Sequence, residues 1–144
     1  MERILVALDP GRTSIWTIVH GINLGKRVSG RVYILIISKK NSSRSIEKHI
    51  NSDVQKRVES LIDEARSEGL FVDLYVTHGS FDHELIKFIK ENKISLLILG
   101  VPVSSKEGSL QKFLKFAEKI RQRVDCRIEI VNEKGVKIAR KRSE

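Results

Sequence analysis

Three unbroken apolar runs mark the chain: ILVAL at 4–8, VYILII at 32–37 and SLLIL at 95–99. A strand covered on both faces has no wet side to alternate with, so runs of this kind predict the central strands of a parallel sheet. Two further segments alternate. In FVDLYVT at 71–77, Val72, Leu74 and Val76 point one way and Asp73 and Tyr75 the other; in CRIEIV at 126–131, Arg127 and Glu129 point outward. That half-wet pattern predicts the two edges of the sheet.

Helical periodicity fills the gaps. Apolar stripes run through Ile15, Ile18, Val19 and Ile22, through Val54, Val58, Leu61, Ile62 and Ala65, through Leu85, Ile86 and Ile89, and through Leu110, Phe113, Leu114, Ala117 and Ile120. Each follows, in whole or part, the spacing of a helix with one buried face. Thr13 and Ser80 suit N-caps and Gly69 a helix C-cap. The predicted order is strand 3–8, helix 13–27, strand 31–38, helix 53–68, strand 71–77, helix 81–92, strand 95–99, helix 109–123 and strand 126–131. Alternating units of this kind cross over right-handed and build an α/β three-layer sandwich on a five-stranded parallel sheet. With strands one, two and four central, the expected strand order is 3-2-1-4-5.

The polar connection KKNSSRSIEKHINS at 39–52 is longer than most and reads either as a loop beside a ligand or as a solvated link. After the turn-like NEKG at 132–135, Val136 and Ile138 alternate with Lys137, the signal of an extra C-terminal strand folded back on strand five. The chain thus divides into an α/β domain over 1–132 and a basic tail or short edge strand over 133–144. The formal charge is +9, and the tail holds Lys134, Lys137, Arg140, Lys141 and Arg142 against Glu133 and Glu144. A solvated tail is the simpler reading of that excess, and a nucleic-acid or other polyanion site the alternative. The one cysteine, Cys126, excludes an intrachain disulfide. No apolar run approaches the roughly 20 residues of a membrane span, and MERILVALDP is too short and too charged for a signal peptide. The expectation is a soluble, cytoplasmic protein without a membrane partner.

In open α/β sheets, ligands sit beyond the carboxyl ends of strands where the strand order reverses, here between strands one and four. The ligand-binding candidates are Asp9, Pro10 and Gly11 after strand one, Ile37 in strand two, Gly100 and Val101 at the end of strand four, and Gly108 and Ser109 before helix four. Asp9 can accept hydrogen bonds from a sugar hydroxyl or ring amine, Gly11 allows close backbone approach, and Gly108-Ser109 can present amides and a hydroxyl to phosphate. The plainer readings are a turn capped by Asp9 and an ordinary helix start at Gly108-Ser109. His20, His49, His78 and His83 show no metal-ligand spacing, and Cys126 suits a small buried apolar group. No catalytic residue or metal site is assigned.

At these residues the chain resembles the universal stress protein family. The opening ILVALDPG is similar to that family's first strand, terminal Asp and small turn; HGSFDHELIKFIKENKISLLILGV at 78–101 resembles its central signature, and the likeness covers about 2–132. The resemblance implies a stress-response module, ATP or AMP as the ligands to test, and a homodimer through the 126–131 edge, for which a sixth strand would compete. ATP-binding members carry Gly-x2-Gly-x9-Gly-Ser/Thr after strand four. Here Gly100 matches, but the later positions fall on Val103, Phe113 and Leu114. The resemblance therefore implies a modified or lost nucleotide site, unless Gly108-Ser109 serves as a shifted phosphate loop. Related enzyme classes lack their motifs: there is no His-x-Gly-His, no Ser-Gly-Gly-x-Asp-Ser, and no phosphoacceptor Asp after strand three, which ends Thr77-His78-Gly79.

Overall fold

The apolar runs pair as parallel neighbours. In the computed structural model, which describes residues 1–9, 13–38, 52–103, 107–132, 134 and 137–141, β1 (Arg3–Leu8) lies between β2 (Arg31–Ser38) and β4 (Leu96–Gly100). β3 (Phe71–His78) pairs with β2, and β5 (Arg127–Val131) with β4, all parallel. β6 (Lys137–Lys141) adds antiparallel to β5, so the six-stranded order is β3-β2-β1-β4-β5-β6. The expected parallel order 3-2-1-4-5 holds, and so does the extra strand. The 39–51 part of the long connection lies outside the described residues, and Ser52 opens a helix.

Helices cover both faces. α1 (Ile15–Val28) and α2 (Ser52–Ser67) bury Ile18, Ile22, Val58, Ile62 and Ala65 against Ile4, Val6, Ile34 and Ile98. α3 (Phe81–Asn92) and α4 (Ser109–Arg121) bury Leu85, Ile89, Ala117 and Ile120 against Leu5, Leu35, Leu97 and Ile128. Successive strand side chains feed opposite cores, which is why the central strands carry no polar alternation. Among the described residues, no helix is long and apolar enough to cross a membrane.

Several local expectations need correcting. Ser14, not Thr13, caps α1, its hydroxyl accepting from Trp16 N at 3.1 Å. Leu110, placed on the buried stripe of α4, is exposed, as are Leu74 and Val76 of β3. β5 is not an edge, because β6 covers it; the backbone edge expected to join two copies is occupied by the same chain. Glu129 does not point to water either. It is 2% exposed, and its Oε2 lies 2.5 Å from His20 Nε2 on α1. Alternation reports which face a residue takes, but not whether another element roofs that face.

α1 sits unusually close to the sheet. A Cβ at Gly21 would stand 2.3 Å from Val6 Cγ2, and one at Gly25 2.5 Å from Val32 Cγ2. Both valines are fully buried and β-branched, with no room to retreat. Gly21→Ala would gain about 1 kcal/mol of helix propensity, but overpacking costs about 1–3 kcal/mol. The expected outcome is net destabilisation in urea unfolding, partly relieved when Val6→Ala is added. Cys126 is buried, and desolvation pushes its thiol from 9.0 up to about 11. Its contribution to stability is fully present below pH 9 and is lost as pH rises through about 11. The thiol should resist alkylation at pH 8 in the native protein and react at once in denaturant, as read by mass spectrometry.

Candidate functional site

A cavity of about 460 Å³ opens at the carboxyl ends of β1 and β4, where the order reverses, on the α3–α4 face of the sheet. Its floor is Ala7, Leu99 and Gly100. Asp9 and Thr13 stand on one side, and Ser109 and Lys112 on the other at the start of α4. Phe81, Phe113 and Phe116 supply aromatic lining, and Pro102 and Glu107, from the connection between β4 and α4, complete it.

Each part has a local cause. Asp9 and Thr13 are tied by two reciprocal bonds: Thr13 N donates to Asp9 O at 3.1 Å, and Asp9 N donates to Thr13 Oγ1 at 3.1 Å. Thr13 therefore anchors the end of β1 rather than capping α1. Gly100 is required by packing. A Cβ there would lie 2.3 Å from Thr17 Oγ1 and 3.0 Å from Thr13 Cγ2. The Thr17 hydroxyl is itself fully buried, with no hydrogen-bond partner among the described residues. The family glycine at this position thus serves the seating of α1 on β4.

Gly108 takes a left-handed φ of 81° at the N-cap of α4, a conformation that favours glycine, and Lys112 N donates to its carbonyl at 3.1 Å. The first N–H groups of a helix lack intrahelical acceptors and carry the positive end of its dipole. Ser109 and Lys112 place a hydroxyl and an ammonium at that end. Phe113, where the family pattern sets its third glycine, falls in the second turn of α4. The helix begins near Gly108, five residues earlier, so the position of the pattern's third glycine lies inside a helix and not in the loop before it.

The aromatic lining is braced from behind. The Phe81 and Phe116 rings lie 5.5 Å apart. Beside them Lys119 Nζ donates to Asp82 Oδ2 at 3.2 Å, a bond that holds the Asp82 carboxyl below its ordinary range and ties α4 to α3.

Of the residues expected from sequence, Asp9, Gly100 and Ser109 line the cavity. Ile37 is buried in the core below it, Val101 packs against the same core, and Gly108 sets the helix start. Pro10 and Gly11 lie outside the described residues. Sequence reading missed Thr13, Phe81, Lys112, Phe113 and Phe116 as lining. Phe116 carried a usable signal, since it stands off the apolar stripe of α4 while being too large and apolar for a solvated face. Of the other histidines, His78 Nδ1 is hydrogen-bonded to Ser38 Oγ at 2.5 Å, His83 is exposed, and His49 lies outside the described residues.

Known proteins share this fold. The chain aligns over 90–91% of its length with universal stress proteins of known structure. One from Lactobacillus plantarum is 12% identical, with a TM-score of 0.67 and 96% of that chain covered. One from Archaeoglobus fulgidus is 16% identical, with a TM-score of 0.61; the present chain spans 43% of it. A third, solved in complex with cAMP, is 14% identical, with a TM-score of 0.61 and 96% covered. Identities this low bear on the fold alone. No curated protein matches the chain. The family model described as "Universal stress protein family" matches residues 1–132, and the chain belongs to the universal stress protein family.

Proposed function

We propose that this chain is a non-catalytic ligand-binding module of the stress-response type, with a nucleotide site modified to take a ring bearing one short anionic group. Nucleoside monophosphates are the ligand class. The observation that carries this reading is the meeting of three phenylalanine rings with Ser109 and Lys112 in one cavity. Flat rings stack on aromatic side chains. A single phosphate suits a helix start that offers free amides, a hydroxyl and a lysine. Asp9 adds an acceptor for a sugar hydroxyl or ring amine.

The same features disfavour a triphosphate. Polyphosphate chains are held by successive backbone amides in glycine-rich loops. Here Phe113, in the second turn of α4, stands where a glycine would be needed. Glu107 and Asp9 add carboxylates at the cavity, which repel an extended polyanion. One structural relative was solved in complex with cAMP, itself a monophosphate, which makes that class a sensible probe here.

Titration calorimetry with AMP, cAMP, adenosine and ATP tests the reading. The monophosphates should bind at least about tenfold more tightly than ATP, and Lys112→Ala should cost them about tenfold, the size of one charge-assisted hydrogen bond. Micromolar ATP binding stronger than that of AMP overturns the modified site. No heat from any of the four ligands overturns nucleotide recognition altogether.

A further inference from the structure

The two edges of the sheet are chemically opposite. β6 carries Lys137, Arg140 and Lys141, and its pairing with β5 is irregular at Ile130/Val131. Basic residues and broken register are devices that keep a strand edge from pairing with its own copy. β3 has neither. It is eight residues long, and among the described residues its only sheet neighbour is β2. Apolar groups stand out on both its faces. Leu74 and Val76 are 40% and 51% exposed on the α2 side; Phe71 and Tyr75 are 61% and 39% exposed on the α3 side. Its one ionised side chain, Asp73, is engaged within the chain by Arg31 at 3.4 Å and Arg66 at 3.7 Å.

We propose that β3 is the contact surface for a second copy of this chain, the two β3 strands pairing antiparallel about a two-fold axis so that one sheet runs through both protomers. Opposed residues in an antiparallel pair share a face, and one register matches the central residues of the strand, 73–77, on both faces. With Tyr75 on the axis, Leu74 meets the partner subunit's Val76, and Asp73 meets the partner subunit's Thr77. Aliphatic groups then lie against aliphatic groups, and a carboxylate lies opposite a hydroxyl. Sliding by two residues sets Asp73 against the partner subunit's Tyr75 and covers a charge with a ring. A slide of one residue puts each apolar row opposite the wrong face. The strand's self-complementarity points to a second copy rather than to a foreign strand. Charge does not oppose it: 71–78 holds one carboxylate and no Lys or Arg, and that carboxylate offsets the neighbouring Arg31 and Arg66. The 126–131 edge, expected from the resemblance to pair two copies, is already filled by β6.

Light scattering over about a hundredfold range of concentration should give twice the chain mass of 16.4 kDa at the upper end. Val76→Lys should reduce it to the monomer mass with an unchanged circular dichroism spectrum. Ile138→Lys, on the opposite edge, should leave the dimer intact. Tyr75→Cys should oxidise to a thiol-reducible dimer, because the only native thiol, Cys126, is buried. If Val76→Lys fails to fold, hydrogen exchange of the unaltered protein decides: amides of 71–78 should gain protection as concentration rises. A monomer throughout that range, a dimer indifferent to Val76→Lys, or 71–78 amides with concentration-independent exchange overturns the proposal.

Discussion

Helix α1 lies on the sheet with no side chain between its glycines and the strands beneath, and most of the molecule is arranged around that contact. Gly21 and Gly25 bring its axis down onto Val6 and Val32. One turn before Gly21, Thr17 presses on Gly100, which must lack a Cβ for the helix to seat. The position of α1 in turn fixes Thr13, which is bonded twice to Asp9. The end of β1 is thereby held at the mouth of the cavity by a packing constraint that begins two turns away. Gly100, read from sequence as a ligand-binding candidate, and Thr13, which lines the cavity beside it, therefore also have structural work to do.

The fold was legible because its signals are additive and local. Unbroken runs at 4–8, 32–37 and 95–99 could only be strands covered twice, and the stripes between them only helices covered once. What escaped was tertiary covering. Glu129 alternates with Ile128 and Ile130 and so reads as wet, yet β6 lies beyond it and His20 closes over it. Leu74 and Val76 alternate in the same manner and read as buried, but much of their surface faces outward. The alternation in these two strands is equally clear; only the neighbouring elements differ, and those are not encoded within the strand.

The candidate site was half legible. Position in the topology picked out Asp9, Gly100 and Ser109, because the crevice at a strand-order reversal follows from connectivity alone. The aromatic lining did not follow. Phe113 was counted as core, which it also is, since a helix that borders a cavity uses the same stripe to face protein along one stretch and open space along another. The family glycine pattern, aligned without gaps, lands inside α4. Only the helix boundary reveals that Gly108, five residues earlier, is the structural counterpart of a loop end.

β1 pairs on one side with a strand some thirty residues downstream and on the other with a strand more than ninety away. During synthesis the first three strands can assemble while the second flank of β1 still waits for β4 to emerge. The hollow between them therefore has no existence in either half-molecule; it is created by the closing of the longest-range seam in the sheet. Any compound lodged there touches both halves and resists their separation, so occupancy acts as a fastener on that seam.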